Sequence, residues 1–202
     1  MTIRLVLADD QALVRGALAA LLNLEPDLEV VAEVGSGDDV LRTCVDNQAD
    51  VALLDVEMPG LDGIEATSQI KRALPGTRVL IVTTFGRPGY LRRALQSGAD
   101  GFLVKDTPAK QLADAVRRVH GGLRVVDPAL VADSIATGES PLTTRETDVL
   151  RAAVGGETVA SIAEKLALSE GTVRNHLSSA IGKTGASTRA EAARIATEHG
   201  WL

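Results

Sequence analysis

Aromatic side chains are nearly missing from this chain: two Phe, one Tyr and one Trp in 202 residues, so any core must be built from aliphatic groups. A single cysteine, Cys44, excludes an internal disulfide. Without ligand-like neighbours it also excludes a structural zinc site, and it reads as a small apolar residue on a helix. No apolar run approaches the length of a membrane span, and the short apolar stretch before Asp9 and Asp10 is too brief for a signal peptide. A cytoplasmic protein without membrane insertion is expected. Three histidines, His120, His176 and His199, leave little acid–base chemistry near neutral pH.

What is present is a soluble globular composition, 45% hydrophobic and 24% charged, with a net charge of −6. The charge is unevenly spread. Residues 141–202 hold 7 of the 21 Lys and Arg and 7 of the 27 Asp and Glu, so the whole acidic excess belongs to the first 140 residues. Within the later part, Gly171 to Ala190 carries Arg174, His176, Lys183 and Arg189 and no acid. Such a stripe suits nucleic acid, although on charge alone an ordinary solvated helix face is the better reading.

The stretch VALLDVEMPG, residues 51–60, organises the first part. Val51 to Leu54 is an unbroken apolar run, the pattern of a strand buried on both faces in a parallel sheet. It ends on Asp55, which is expected to project from the sheet edge rather than enter the core, and Pro59–Gly60 then turn the chain toward a helix. Similar runs at Ile3–Ala8, Leu28–Val34, Arg78–Thr83 and Gly101–Val104 alternate with helical patterns near 11–24, 38–47, 63–74, 90–97 and 108–120. Five such alternations predict a doubly wound, five-stranded parallel sheet of flavodoxin-like α/β type over residues 1–124. In the first helix Val14, Leu18 and Leu21 form one apolar stripe and Leu13, Ala17, Ala20 and Leu24 a second. That is more than one core contact needs.

Residues 125–141 mix Asp, Ser, Thr, Gly and Pro around an apolar patch at Ala129–Ile135 and read as a linker with a helical turn or two. An all-α domain of four helices follows over 142–202. Thr143 or Thr144 with Glu146 caps its first helix, Thr158–Leu166 is the second, Ser169 caps a third to about Lys183, and Ser187 caps a fourth to about His199. The second and third helices, joined by the tight turn Ala167–Ser169, form a helix-turn-helix.

A parallel sheet gathers its strand ends at one edge. Here they are Asp9–Asp10, Asp55, Thr83 and Lys105. Three carboxylates select a hard divalent cation, most simply Mg²⁺, with Lys105 opposite as a point charge. A cation, an ammonium and a hydroxyl around one carboxylate are what phosphoryl transfer to that carboxylate requires, with Asp55 as nucleophile. Gly35-x-Gly37 lacks the third glycine of a dinucleotide fingerprint and follows the wrong strand.

Asp9–Asp10, Asp55 in DVEMPGLDG, Thr83 in LIVTTF and Lys105 in GFLVKD resemble the receiver domain of two-component response regulators. LTTRETDVLRAAVGGETVASIAEKLALSEGTVRNHLSSAIGKTGASTRAEA resembles the LuxR-type DNA-binding domain, and together they resemble the NarL/FixJ class. The resemblance implies phosphorylation of Asp55 by a sensor histidine kinase, and Mg²⁺ held by Asp10, Asp55 and the main-chain carbonyl of Glu57, and by Asp9 through water. It further implies phosphoryl contacts from Thr83 and Lys105, and a switch formed by Thr83 and Phe102. On the DNA side it implies base contacts from Arg174, Asn175 and Ser178, a phosphate contact from Lys183, and a homodimer favoured by phosphorylation. Where many receivers have proline after the lysine, this chain has Asp106. The competing readings are a phosphatase-like enzyme, for which Glu57 supplies a second acid two residues after Asp55, and an interaction module that stores a structural cation. Against an enzyme, the remaining sixty or so residues look like a DNA module rather than a substrate domain.

Overall fold

The computed structural model describes residues 2–84, 86–128, 130–132 and 140–202. Setting aside residues 87–89, the described chain up to residue 132 forms one compact unit and residues 140–202 a second.

In the first unit strands and helices alternate: β1 (Ile3–Ala8), α1 (Ala12–Leu22), β2 (Leu28–Val34), α2 (Gly37–Asp46), β3 (Val51–Leu54), α3 (Gly63–Ala73), β4 (Arg78–Thr83), α4 (Pro88–Gln96), β5 (Gly101–Val104), α5 (Ala109–His120) and β6 (Val125–Val126). The strands pair in parallel in the order β2-β1-β3-β4-β5-β6. Alternation along β3 explains why it lies at the centre. Ala52 and Leu54 enter the core on one face with Val6, Ile70, Ile81 and Phe102, while Val51 and Leu53 enter the core on the other with Leu5, Leu22, Val116 and Val119. Each fully buried aliphatic side chain contributes about 2 kcal/mol.

Three expectations change. The sheet has six strands rather than five, because Val125–Val126 pairs with Gly101–Phe102. Two residues carry no readable periodicity, so the linker expected from 125 instead begins with a strand. The helical patch expected at Ala129–Ile135 lies partly outside the described residues; residues 128 and 130–132 are helical. In α1 the core contact is made by Ala19 and Leu22, with Val14 and Leu18 half-buried, whereas Leu21 is 44% exposed. A helix apolar on two adjacent stripes leaves its rotational phase ambiguous by about one residue.

The second unit contains α6 (Thr144–Val154), α7 (Val159–Lys165), α8 (Glu170–Thr184) and α9 (Arg189–Glu198) around a core of Val149, Leu150, Ile162, Val173, Leu177, Ala180 and Ala192. Of the two candidate caps for α6, Thr143 is the one used, in a reciprocal box with Glu146. The cap of α9 is Thr188 rather than Ser187, because Thr188 stands three residues before Glu191, whose backbone N–H it accepts at 3.2 Å. Beyond α9, Trp201 stacks on His199 with ring centroids 4.7 Å apart.

Candidate functional site

Register brings the strand-end residues together. Ala8 lies opposite Leu54, so Asp9 and Asp55 leave neighbouring strands side by side; Thr83 lies opposite Val104, so Lys105 follows one residue beyond the level of Thr83. Backbone bonds fix the exits: Asp55 N donates to Ala8 O at 2.8 Å, and Lys105 N to Thr83 O at 2.8 Å. With β1 flanked by β2 and β3, the aspartates stand where the strand order reverses, the crevice in which open α/β sheets bind ligands. A close packing contact holds the next helix against this exit. A Cβ on Gly63, the first residue of α3, would lie 1.9 Å from the carbonyl oxygen of Asp55, so only glycine permits the approach.

Asp9, Asp10 and Asp55 each bring a carboxylate oxygen within 4.8 Å of the others. Asp9 and Asp55 are buried, at 2% and 4% exposure: Asp55 stands just past the strand end as expected, but inside a closed pocket rather than at an open edge. Lys105 compensates them: its Nζ lies 2.7 Å from Asp9 Oδ2 and 2.8 Å from Asp55 Oδ2. Burial disfavours the charged form of both partners. Around Lys105 it is outweighed by hydrogen bonds and attraction from Asp55 and Asp9, which hold the ammonium above the usual lysine range. At Asp55 burial, aided by repulsion from Asp9, outweighs Lys105 and holds the carboxyl above the usual carboxylate range. The pocket therefore has more negative charge than one ammonium satisfies. Asp55 Oδ1, moreover, is buried without a hydrogen-bond partner among the described residues. An all-oxygen donor set with an orphaned buried oxygen fits a hard divalent cation.

Thr83, the last residue of β4, and Phe102 on β5 are both buried, and Phe102, completely so, belongs to the core on the face that takes Leu54. The side chain of Glu57 accepts a hydrogen bond from the hydroxyl of Tyr90 on α4 at 3.2 Å, and Arg93 on α4 meets Asp62, the cap of α3, at 3.1 Å. Both contacts tie α4 to the loop after Asp55. Neither was legible in the sequence, because partners more than thirty residues apart leave no local signal. All peptide bonds among the described residues are trans, including Lys105–Asp106.

In the second unit α7 and α8 form the expected helix-turn-helix. Ser169 caps α8 by accepting from Thr172 N at 3.1 Å, and Val173, Leu177 and Ala180 face the core with Ile181 half-buried. Arg174, Asn175 and Ser178 lie on the exposed side. Arg174 pairs with Glu170 at 2.6 Å, an exposed contact worth well under ~1 kcal/mol and easily exchanged for another partner. Lys183 is engaged differently, 2.7 Å from the buried Glu146.

The description "response regulator receiver domain" matches residues 5–117, and "bacterial regulatory proteins, luxR family" matches residues 140–196. The chain belongs to the response regulators of NarL/FixJ type: a receiver with an acidic aspartate cluster, followed by a DNA-binding helix-turn-helix of the LuxR type. It is 41% identical over 200 residues to the transcriptional regulatory protein DesR of Bacillus subtilis, with 99% of each chain covered. Response regulator protein VraR of Staphylococcus aureus is 33% identical over 205 residues, with 98% of each covered. The crystal structure of response regulator ChrA of a heme-sensing two-component system aligns over 100% of this chain and 99% of that one, at 32% identity and a TM-score of 0.60. With a receiver domain followed by a luxR-type regulatory domain, the chain is a transcriptional regulator. No helix among the described residues is long and apolar enough to cross a membrane.

Proposed function

We propose that Asp55 is the phosphoacceptor of a cytoplasmic two-component regulator whose phosphorylated form binds double-stranded DNA as a homodimer. The observation that carries this reading is the buried, unpartnered Oδ1 of Asp55 beside Lys105 and two further aspartates. Asp55 attacks the phosphoryl group of a sensor kinase's phosphohistidine; a phosphorus–oxygen bond forms at Asp55 as the phosphorus–nitrogen bond to the histidine breaks. Lys105 and Thr83 meet the charge that arrives on the phosphoryl oxygens. Asp9, Asp10, Asp55 and the main-chain carbonyl of Glu57 would hold Mg²⁺, which neutralises charge that the donor would otherwise meet as repulsion. Thr83 and Phe102 form the switch, moving as Thr83 turns to the new group.

The dimer surface is the outer side of α1 together with α5. Leu13 and Leu24 are 88% and 79% exposed, and Ala17 and Ala20 lie between them on the same side. Arg117 of α5 donates to Glu25 and Asp27, just after α1, so the two helices offer one continuous surface. Arg174, Asn175 and Ser178 read base edges, and Lys183 lies at the phosphate side of the same helix. Incubation with acetyl phosphate and Mg²⁺ should add one phosphoryl group to wild type and none to Asp55→Asn, and chelation should abolish labelling. Equal labelling of Asp55→Asn would refute the assignment.

A further inference from the structure

Arg15 is the sole charged residue of α1, and the helix turns it inward while leaving leucine outside: its side chain is 20% exposed, against 88% for Leu13. The guanidinium lies in a niche at the acidic pocket. Its Nη1 donates to the main-chain carbonyl of Asp9. A Cβ on Gly35 would lie 3.3 Å from that nitrogen, so glycine there leaves the guanidinium its room. The other contact is incomplete, since Nε is buried without a hydrogen bond among the described residues and stands 3.6 Å from Glu33 Oε2. Asp9 is thus attached to α1 twice, through Arg15 and through its own Oδ1, which accepts from the backbone N–H of Gln11 at 2.9 Å. Gln11, the N-cap of α1, makes no side-chain cap bond, and the first turn holds no acid, so these two links anchor the start of the helix.

We propose that Arg15 is a positioning residue that couples the state of the acidic pocket to the outer face of α1, an inference that rests on that face being the dimer surface. Without a phosphoryl group, Lys105 bridges Asp9 and Asp55. A phosphoryl group on Asp55 claims Lys105, and Asp9 then loses that partner. Asp9 shifts, and its carbonyl carries Arg15 with it. The guanidinium is shared between the Asp9 carbonyl and Glu33, and its unsatisfied Nε would gain a hydrogen bond by closing the 3.6 Å gap to Glu33, which supplies the second arrangement once the Asp9 carbonyl moves. Because Arg15 and Leu13 share the first turn of α1, the exchange moves the apolar face. Coupling of this kind needs a two-state element biased by both sites, and Arg15 supplies it.

The test compares phosphoryl incorporation from acetyl phosphate with dimer dissociation constants from sedimentation, for wild type, Leu13→Asp, Arg15→Ala and Arg15→Lys. Arg15→Ala should take up phosphoryl to wild-type stoichiometry yet lose at least about ten-fold of the phosphorylation-induced tightening, within the usual range of allosteric coupling. Arg15→Lys, which keeps one donor for the Asp9 carbonyl, should recover part of it, a rescue that a purely packing role would not give. If Arg15→Ala does not melt cooperatively, Arg15→Met replaces it, since an unbranched apolar stem keeps the niche filled while every donor to the Asp9 carbonyl is removed, and the same loss is expected. Should Leu13→Asp abolish tightening while the Arg15→Ala or Arg15→Met variant retains it within two-fold, the dimer face stands and the coupling is wrong. Should Leu13→Asp tighten like wild type, the dimer face itself is wrong and the coupling goes with it.

Discussion

Glu146 shows how much one side chain can do. As the third residue of α6 it accepts from the backbone N–H of Thr143 at 2.6 Å, closing the cap; it also accepts from Ser179 Oγ at 2.6 Å and Lys183 Nζ at 2.7 Å on α8. Burial alone would raise its pKa, but these hydrogen bonds outweigh it and hold the carboxyl at about 2, below its ordinary 4.5. The unfolded state therefore binds the proton first. Its contribution to stability is complete above about 4.5 and is lost as the pH falls toward about 2. Thermal melts of the second unit should lose stability through this window more steeply in wild type than in Glu146→Gln, and parallel slopes would refute the account. The same contact ties the start of α6 to the last turn of α8. In the sequence Glu146 was legible only as a cap residue, since Ser179 and Lys183 lie more than thirty positions away.

At the level of elements, the turn between α7 and α8 carries a testable strain. Ala167 has φ of 53°, the left-handed region, where Leu168 N bonds back to Ala163 O at 2.9 Å to end α7. Ala167→Gly should stabilise the second unit by roughly 0.5–1 kcal/mol in urea titration, the relief of strain exceeding the extra entropy of the unfolded chain. On α8, Arg174→Ala should lower affinity for the specific operator by about 1–3 kcal/mol in fluorescence anisotropy and random DNA far less; equal losses would make Arg174 a phosphate contact. Elements of this kind were largely readable in advance, because buried strands and capped amphipathic helices write their period into the chain. The positions of Asp9, Asp10, Asp55, Thr83 and Lys105 were readable for the same reason, each standing at the end of a legible strand or within two residues after it. Arg15 was not: a charged residue in a helix is expected to face water, and its partners at Asp9 and Gly35 become neighbours only once the sheet has formed.

For the whole molecule, the second unit with balanced charge should bind DNA weakly by itself and with strong dependence on salt. Pairing two copies through the first unit raises joint affinity through effective concentration, with no new base contact. Leu13→Asp should therefore leave phosphorylation and the weak single-site affinity intact while lowering affinity for a two-site operator by about 10²-fold or more, as read by mobility shift. Retained two-site affinity would move the interface off α1. The lone tryptophan offers a way to watch one half of such a molecule at a time. Trp201, stacked on His199, belongs to the second unit, and the chain has no other indole. Under indole-selective excitation the first unit is optically silent, so emission follows melting of the DNA-binding half alone while circular dichroism follows both, and any gap between the two curves separates the unfolding of one half from that of the other.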